Sequence, residues 1–89
     1  MSGGIVGGSG WTVRVRWTEV SGIDNYIIYR SNVSGSSYVE IGESSGDTYY
    51  DSITLSNAGV YYYVVTAVDS QGIESAYSNQ AVVGVGIDV

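Results

Sequence analysis

The stretch GVYYYVVTAVD, residues Gly59 to Asp69, decides the fold. It combines β-branched and aromatic residues, contains no proline and begins at a glycine, a pattern that predicts a strand. Alternate side chains of a strand point to opposite faces, and both faces here are largely apolar. We therefore expect this strand to lie in the middle of its sheet. One face would carry Tyr61, Tyr63, Val65 and Ala67, and the other Tyr62, Val64, Thr66 and Val68.

Five other segments have the composition and alternation of strands. They are Trp11 to Thr18, Tyr26 to Arg30, Tyr38 to Ile41, Asp47 to Leu55 and Asn79 to Val89. The first has one apolar and one polar face, so one side of it is predicted to be exposed. The segments between them are rich in glycine, serine and asparagine, which is typical of turns. No segment has the period of a helix, and the chain is predicted to be all-β.

Length and composition limit the organisation of the chain. Its 89 residues are enough for one domain, with nine tyrosines, two tryptophans and thirteen glycines. Residues 1–10 are glycine-rich and predict either a flexible linker or a rudimentary first strand, and residues 11–89 predict the folded domain. The start lacks the basic and long apolar parts of a signal peptide. No apolar run approaches the roughly 20 residues of a membrane-spanning helix, so membrane insertion is not expected.

The charged and reactive residues exclude most functions. The net charge is −6 and the only cations are three arginines, so neither a nucleic acid nor an anionic membrane surface is an expected partner. Histidine and cysteine are absent, which removes the usual general base, thiolate and zinc ligands. The acid pairs Glu43 with Asp47 and Asp69 with Glu74 lie in short loops and are interpreted as solvated turn residues. We expect no catalytic residue, no bound metal, no cofactor and no enzymatic activity.

Several short motifs follow one another between about Trp11 and Val83: VxVxW, YxIYR, a Tyr-x-Asp, and YxYxVxAxD followed by GxES. These motifs and the positions between them carry Val13, Val15, Trp17, Tyr26 to Arg30, Tyr49, Asp51, Leu55, Tyr61, Tyr63, Val65, Ala67, Asp69, Gly72, Glu74, Ser75 and Ser78. In their order and spacing they resemble a fibronectin type III domain of the bacterial and archaeal type.

The resemblance implies an immunoglobulin-like sandwich of two antiparallel sheets, with strands A, B and E packed on C′, C, F and G. It makes Trp17 the central core indole. It makes Tyr61 the tyrosine-corner residue, with its hydroxyl bound to the backbone near Leu55 to Asn57. The fold-defining residues are then Trp17, Tyr26, Ile28, Leu55, Tyr61, Tyr63 and Val65. Strand A is expected to be short or atypical, because only Ile5 and Val6 remain before a run of glycines.

The outward side chains of strands C and F predict an interaction surface. Ile27 and Tyr29 would lie beside Tyr62, Val64 and Val68, since neighbouring strands are about 5 Å apart. A continuous exposed apolar patch usually marks an interface. The last strand would add Val85, Ile87 and Val89, because no turn residue closes it.

Two functions remain open. The first is a non-catalytic extracellular or cell-surface module, a spacer or protein-binding domain of a larger protein that could meet carbohydrate through its parent. The second is a self-assembling subunit of an extracellular filament or oligomer, which would use the apolar C–F face and strand addition at unguarded edges. Asn32 begins an Asn-Val-Ser glycosylation sequon, which matters only in a secretory pathway that reads it.

Overall fold

The computed structural model describes residues 10–54 and 57–86, which form six strands. Their bounds are β1 (Trp11–Arg16), β2 (Tyr26–Ser31), β3 (Val39–Ser44), β4 (Thr48–Ile53), β5 (Gly59–Ala67) and β6 (Ala81–Val85). No helix in these ranges is long and apolar enough to cross a membrane.

All strand pairs are antiparallel and form two sheets. One sheet has the order β1-β4, and the other has the order β3-β2-β5-β6. These correspond to strands B and E on one side and C′, C, F and G on the other, so the predicted all-β sandwich is confirmed. The expected short strand A, with Ile5 and Val6, lies outside the described residues, and so does Leu55.

The core lies between the two sheets and follows the predicted alternation. The buried hydrophobic residues that pack together are Val13, Val15, Tyr26, Ile28, Ile53, Tyr63, Val65 and Val85. The fold-defining residues Tyr26, Ile28, Tyr63 and Val65 are thus in the core. Trp17 is not at its centre: it lies just after β1, is half-buried, and packs with its ring centroid 5.5 Å from that of Tyr26.

Tyr61 makes the hydrogen bond expected of a tyrosine corner. Its hydroxyl donates to the backbone carbonyl of Asn57. The guanidinium of Arg30 lies 5.6 Å from the centre of its ring, within the range of a cation–π contact. Trp17 and Tyr61 therefore pack on different neighbours.

Several strand ends differ from the prediction by one or two residues, such as β1, which ends at Arg16 and not at Thr18. Two larger differences have a local reason. The third strand was expected to end at Ile41, but β3 continues through Gly42 because a bulge absorbs one residue: Ile28 pairs with Gly42 and Tyr29 pairs with Glu40. The last strand was expected to reach Val89, but β6 ends at Val85. The next residue, Gly86, has a φ of 69°, a left-handed conformation that does not continue a strand.

Candidate interaction surface

The face of the four-stranded sheet that points away from β1 and β4 is called the outer face here. Tyr29 is paired with Val64 across the β2–β5 ladder, and Ile27 with Thr66. Val64 and Thr66 are each only 2% exposed. The predicted exposed patch is therefore wrong at Val64, because other parts of the chain cover the middle of the outer face.

Two serines hold the segment before β6 against β5. The Ala67 amide donates a hydrogen bond to the Ser75 hydroxyl at 2.9 Å, and the Ser75 amide donates one to the Ala67 carbonyl at 2.8 Å. Ser78 binds Val65 in the same two ways, with both distances 2.9 Å. A serine hydroxyl thus takes the place of the carbonyl acceptor of a regular ladder. The two residues between these serines, including Tyr77, are fixed at both ends.

Three tyrosines, Tyr29, Tyr38 and Tyr77, form what we call the aromatic cluster. The ring of Tyr77 lies 5.1 Å from that of Tyr29 at an angle of 73°, and 5.1 Å from that of Tyr38 at 64°. These are edge-to-face contacts, the arrangement that the aromatic quadrupole favours. Tyr77 remains 51% exposed. The cluster is thus ordered by its own contacts and still open to solvent.

An acidic group lies at one side of the aromatic cluster. The Glu74 carboxylate accepts hydrogen bonds from the Tyr29 hydroxyl and from the Thr66 hydroxyl, the latter at 2.7 Å. These donors, Thr66 first, lower the pKa of Glu74, because they stabilise its ionised form. The bond to Glu74, with a smaller effect of burial, raises the pKa of Tyr29 to about 12. Near neutral pH the pair is a carboxylate and a neutral phenol.

An amide lies at the other side. The side-chain carbonyl of Gln80 accepts hydrogen bonds from the Tyr38 hydroxyl and from the Gly35 amide, the latter at 2.8 Å, and its Nε2 donates to the Ser34 hydroxyl at 3.2 Å. This residue therefore ties the loop between β2 and β3 to the start of β6. Tyr38 is held over the outer face as a result.

The remaining predicted interface residues divide into three groups. Ile27, Tyr62 and Val68 are half-buried. Val85 is 0% exposed and belongs to the core, so its expected role in an interface is corrected: its side chain fills the space between the sheets. Ile87 and Val89 lie outside the described residues.

Sequence reasoning missed three of the residues that form this surface. The alternation predicts Tyr38 to lie in a strand and does not distinguish Tyr77 or Gln80 from their neighbours. The sequence does contain one signal, because the motif residues Ser75 and Ser78 flank Tyr77. The spacing alone did not indicate that both hydroxyls bind the backbone of β5.

A second polar group lies in the interior. The Asp51 carboxylate on β4 accepts two hydrogen bonds from the Arg30 guanidinium, at 2.8 and 2.9 Å, and one from the Tyr63 hydroxyl at 2.6 Å. Burial, then the bond to Asp51, raises the pKa of Tyr63 well above its usual value. Burial alone would lower the pKa of Arg30, but its hydrogen bonds and charge pairing with Asp51 outweigh that effect and raise it.

Two of the other candidate acids, Asp69 and Asp47, have structural partners, and Glu43 is exposed on β3. The Asp69 carboxylate accepts the amides of Gln71 and Ile73, both at 2.9 Å, which shapes the β5–β6 turn. Asp47 lies 3.8 Å from Arg16 in an exposed ion pair. Within residues 10–54 and 57–86, no three His, Cys, Asp or Glu side chains are grouped so that they could hold a metal ion.

Fold and surface together define an immunoglobulin-like sandwich module with an aromatic outer face. No family model matches the chain. A solved Fn3-like protein from Clostridium thermocellum is 32% identical to it. The alignment covers 80% of this chain and 73% of that protein, with a TM-score of 0.69. The chain belongs to this fibronectin type III-like family.

Two curated relatives are much longer proteins. The amylopullulanase of Thermoanaerobacterium thermosulfurigenes is 36% identical over 70 residues, which is 79% of this chain and 4% of that enzyme. The amylopullulanase of Thermoanaerobacter thermohydrosulfuricus is 40% identical over 75 residues, 84% of this chain and 5% of that enzyme. The chain thus spans about one twentieth of the length of these relatives, and it is homologous to a small segment of each.

Proposed function

We propose that the chain is a non-catalytic accessory module of a larger carbohydrate-active protein. The observation that carries this proposal is its homology to a segment of only 4–5% of two amylopullulanases. A segment of that size in a large enzyme is more consistent with a spacing or binding domain than with the catalytic domain.

The use of the acidic residues supports this proposal. Most glycoside hydrolases use two carboxylates that face the substrate across a cleft, roughly 5–9.5 Å apart. Asp51 is instead enclosed by Arg30 and Tyr63, and Asp69 is occupied by backbone amides of its own turn. These groups stabilise the sandwich, and the module acts through its surface.

The proposed localisation of the module is outside the cell or at the cell surface. The partners would be neighbouring domains of the parent protein and, through that parent, carbohydrate. Both statements rest on the family and on the two enzymes of which homologues of this chain are segments.

The test combines an assay of hydrolysis with a measurement of mass. We expect the purified chain to release no reducing ends from pullulan or amylose, and to remain monomeric by light scattering from micromolar to millimolar concentration. Release of reducing ends that scales with protein concentration through purification would contradict the accessory role.

A second candidate, self-assembly by strand addition, is favoured by one observation. Within the part of the chain that is described, β1 pairs only with β4, and a groove of about 600 Å³ separates it from β6. An added strand from a second copy could bind the open edge of β1. In that case the molar mass measured by light scattering should rise with protein concentration, and truncation after Gly86 should reduce this rise. A monomeric mass both before and after truncation would exclude this candidate.

A further inference from the structure

We propose that the aromatic cluster, with Glu74 and Gln80 at its sides, is a binding site for a neutral glucan chain. The proposal rests on the accessory function proposed above and names the ligand of the outer face. It is argued from the rings, the polar groups beside them, and the charge around them.

The rings supply the apolar part of the site. The C–H groups of a pyranose ring form an apolar face that packs on an aromatic ring, and a half-exposed Tyr77 has ring surface available for this contact. Tyr77 is held by edge contacts with Tyr29 and Tyr38 and by the two serines on either side of it. A ring that is already ordered loses little conformational entropy on binding, which favours affinity.

The polar groups supply partners for hydroxyls. Both hydrogen bonds of the Glu74 carboxylate within the described residues fall on Oε2, so Oε1 can accept from a ligand. The Gln80 amide donates one of its two hydrogens to Ser34, so the other can be donated to a ligand oxygen. An apolar surface with a few fixed polar groups is the usual construction of a specific small-ligand site.

The charges beside the aromatic cluster favour a neutral ligand. Two acids lie beside it: the Glu74 carboxylate, whose lowered pKa keeps it ionised, and Glu40, which pairs with Tyr29 across the β2–β3 ladder and therefore lies on the same face. Both repel phosphates and other anions. Arg14 and Arg16 are on β1 in the other sheet, and Arg30 is bound to Asp51. A lipid chain would leave the carboxylate and amide unpaired, whereas a polyhydroxylated chain can pair with both. Amylose and pullulan are the glucans to test first, because the name amylopullulanase of the relatives refers to them.

The experiment is native affinity electrophoresis of the 89-residue chain in gels with and without pullulan or amylose. The matched variants are Tyr77→Ala and Tyr50→Ala, because Tyr50 is also an exposed tyrosine, at 63%, but lies on β4 in the other sheet. We expect retardation of the wild type and of Tyr50→Ala, and an association constant at least about tenfold lower for Tyr77→Ala, a loss of ~1.4 kcal/mol.

A second measurement does not depend on how well a variant folds. Titration of the wild type with maltoheptaose should shift the amide NMR signals of residues 34–38 and 74–80, and leave those of β1 and β4 in place. The proposal is overturned if no glucan retards the wild type, if Tyr50→Ala binds as weakly as Tyr77→Ala, or if the shifts lie on β1 and β4. An inert, monomeric chain without glucan binding would still be an accessory module, so the two proposals can fail separately.

Discussion

Asp51 and Glu74 make similar hydrogen bonds in opposite surroundings. Each carboxylate accepts from a tyrosine hydroxyl and from one other side chain: Tyr63 and Arg30 for Asp51, Tyr29 and Thr66 for Glu74. Asp51 is 6% exposed and joins β4 of one sheet to β2 and β5 of the other. Glu74 is exposed and lies over one face of a single sheet.

Burial decides what each group contributes. A buried carboxylate has no water to replace a lost partner, so the Asp51 group should contribute to the stability of the sandwich. At the surface, water substitutes for a lost partner, so the Glu74 group should contribute little to folding and remain available to a ligand. The comparison therefore separates a structural polar group from a candidate binding group of similar chemistry.

The largest expected effect is that of Asp51→Asn. The substitution leaves Arg30 without its counter-ion, and a broken buried pair costs about 3–5 kcal/mol. Because the Arg30 side chain is 31% exposed, water will recover part of this, and we expect a loss of about 2–3 kcal/mol in the free energy of unfolding. Urea denaturation followed by tryptophan fluorescence measures it.

The matched control for this substitution is Asp47→Asn. It removes the same charge from an ion pair with Arg16 in which both side chains are well exposed, so the expected change is below about 1 kcal/mol. Equal losses in the two variants would mean that burial does not distinguish these carboxylates.

The interior of this protein was largely predictable from sequence, for a physical reason. In a strand packed against a second sheet, every second side chain is buried. Apolar residues two positions apart, such as Val13 and Val15 or Tyr63 and Val65, therefore predicted the core directly. The hydrogen bonds of Arg30 and Tyr63 to Asp51 were not predicted. All three residues belong to the family motifs, but whether they meet depends on how one sheet is placed on the other.

The outer face was harder to predict because its structure is not periodic. Tyr77 is placed by serine hydroxyls that bind β5 beyond the end of the β5–β6 ladder, and Tyr38 by the amide of Gln80. Neither contact repeats along the chain. Val85 was assigned to an interface because the last strand was expected to continue, whereas Gly86 ends it.

Ser78→Ala should have an intermediate effect, because it removes the acceptor of the Val65 amide at the border between core and surface. One unsatisfied amide costs about 1 kcal/mol. We expect that loss in urea denaturation, together with weaker glucan retardation, since the position of Tyr77 is less well fixed. In Ser70→Ala, the control in the β5–β6 turn, both quantities should stay at their wild-type values. Wild-type stability and wild-type retardation in Ser78→Ala would show that this hydroxyl does not fix the surface.

The smallest effect is a pH dependence of the pair Glu74 and Tyr29. Because the folded pKa of Glu74 is lowered, its contribution to stability is present above its unfolded pKa and is lost as the pH falls through the folded value. Because the folded pKa of Tyr29 is raised to about 12, its contribution is present below its unfolded value of about 10 and is lost between the two.

Two variants test this pH window by thermal unfolding, and both should differ most from the wild type near neutral pH. For Glu74→Gln the difference in melting temperature should shrink toward pH 3, and for Tyr29→Phe it should shrink between pH 10 and pH 12. Glu43→Gln, an exposed glutamate on β3, controls for the loss of one negative charge. If Glu74→Gln and Glu43→Gln follow the same pH dependence, the hydroxyl donors of Thr66 and Tyr29 do not stabilise the Glu74 carboxylate, and the surface group lacks the ordered acceptor that glucan binding requires.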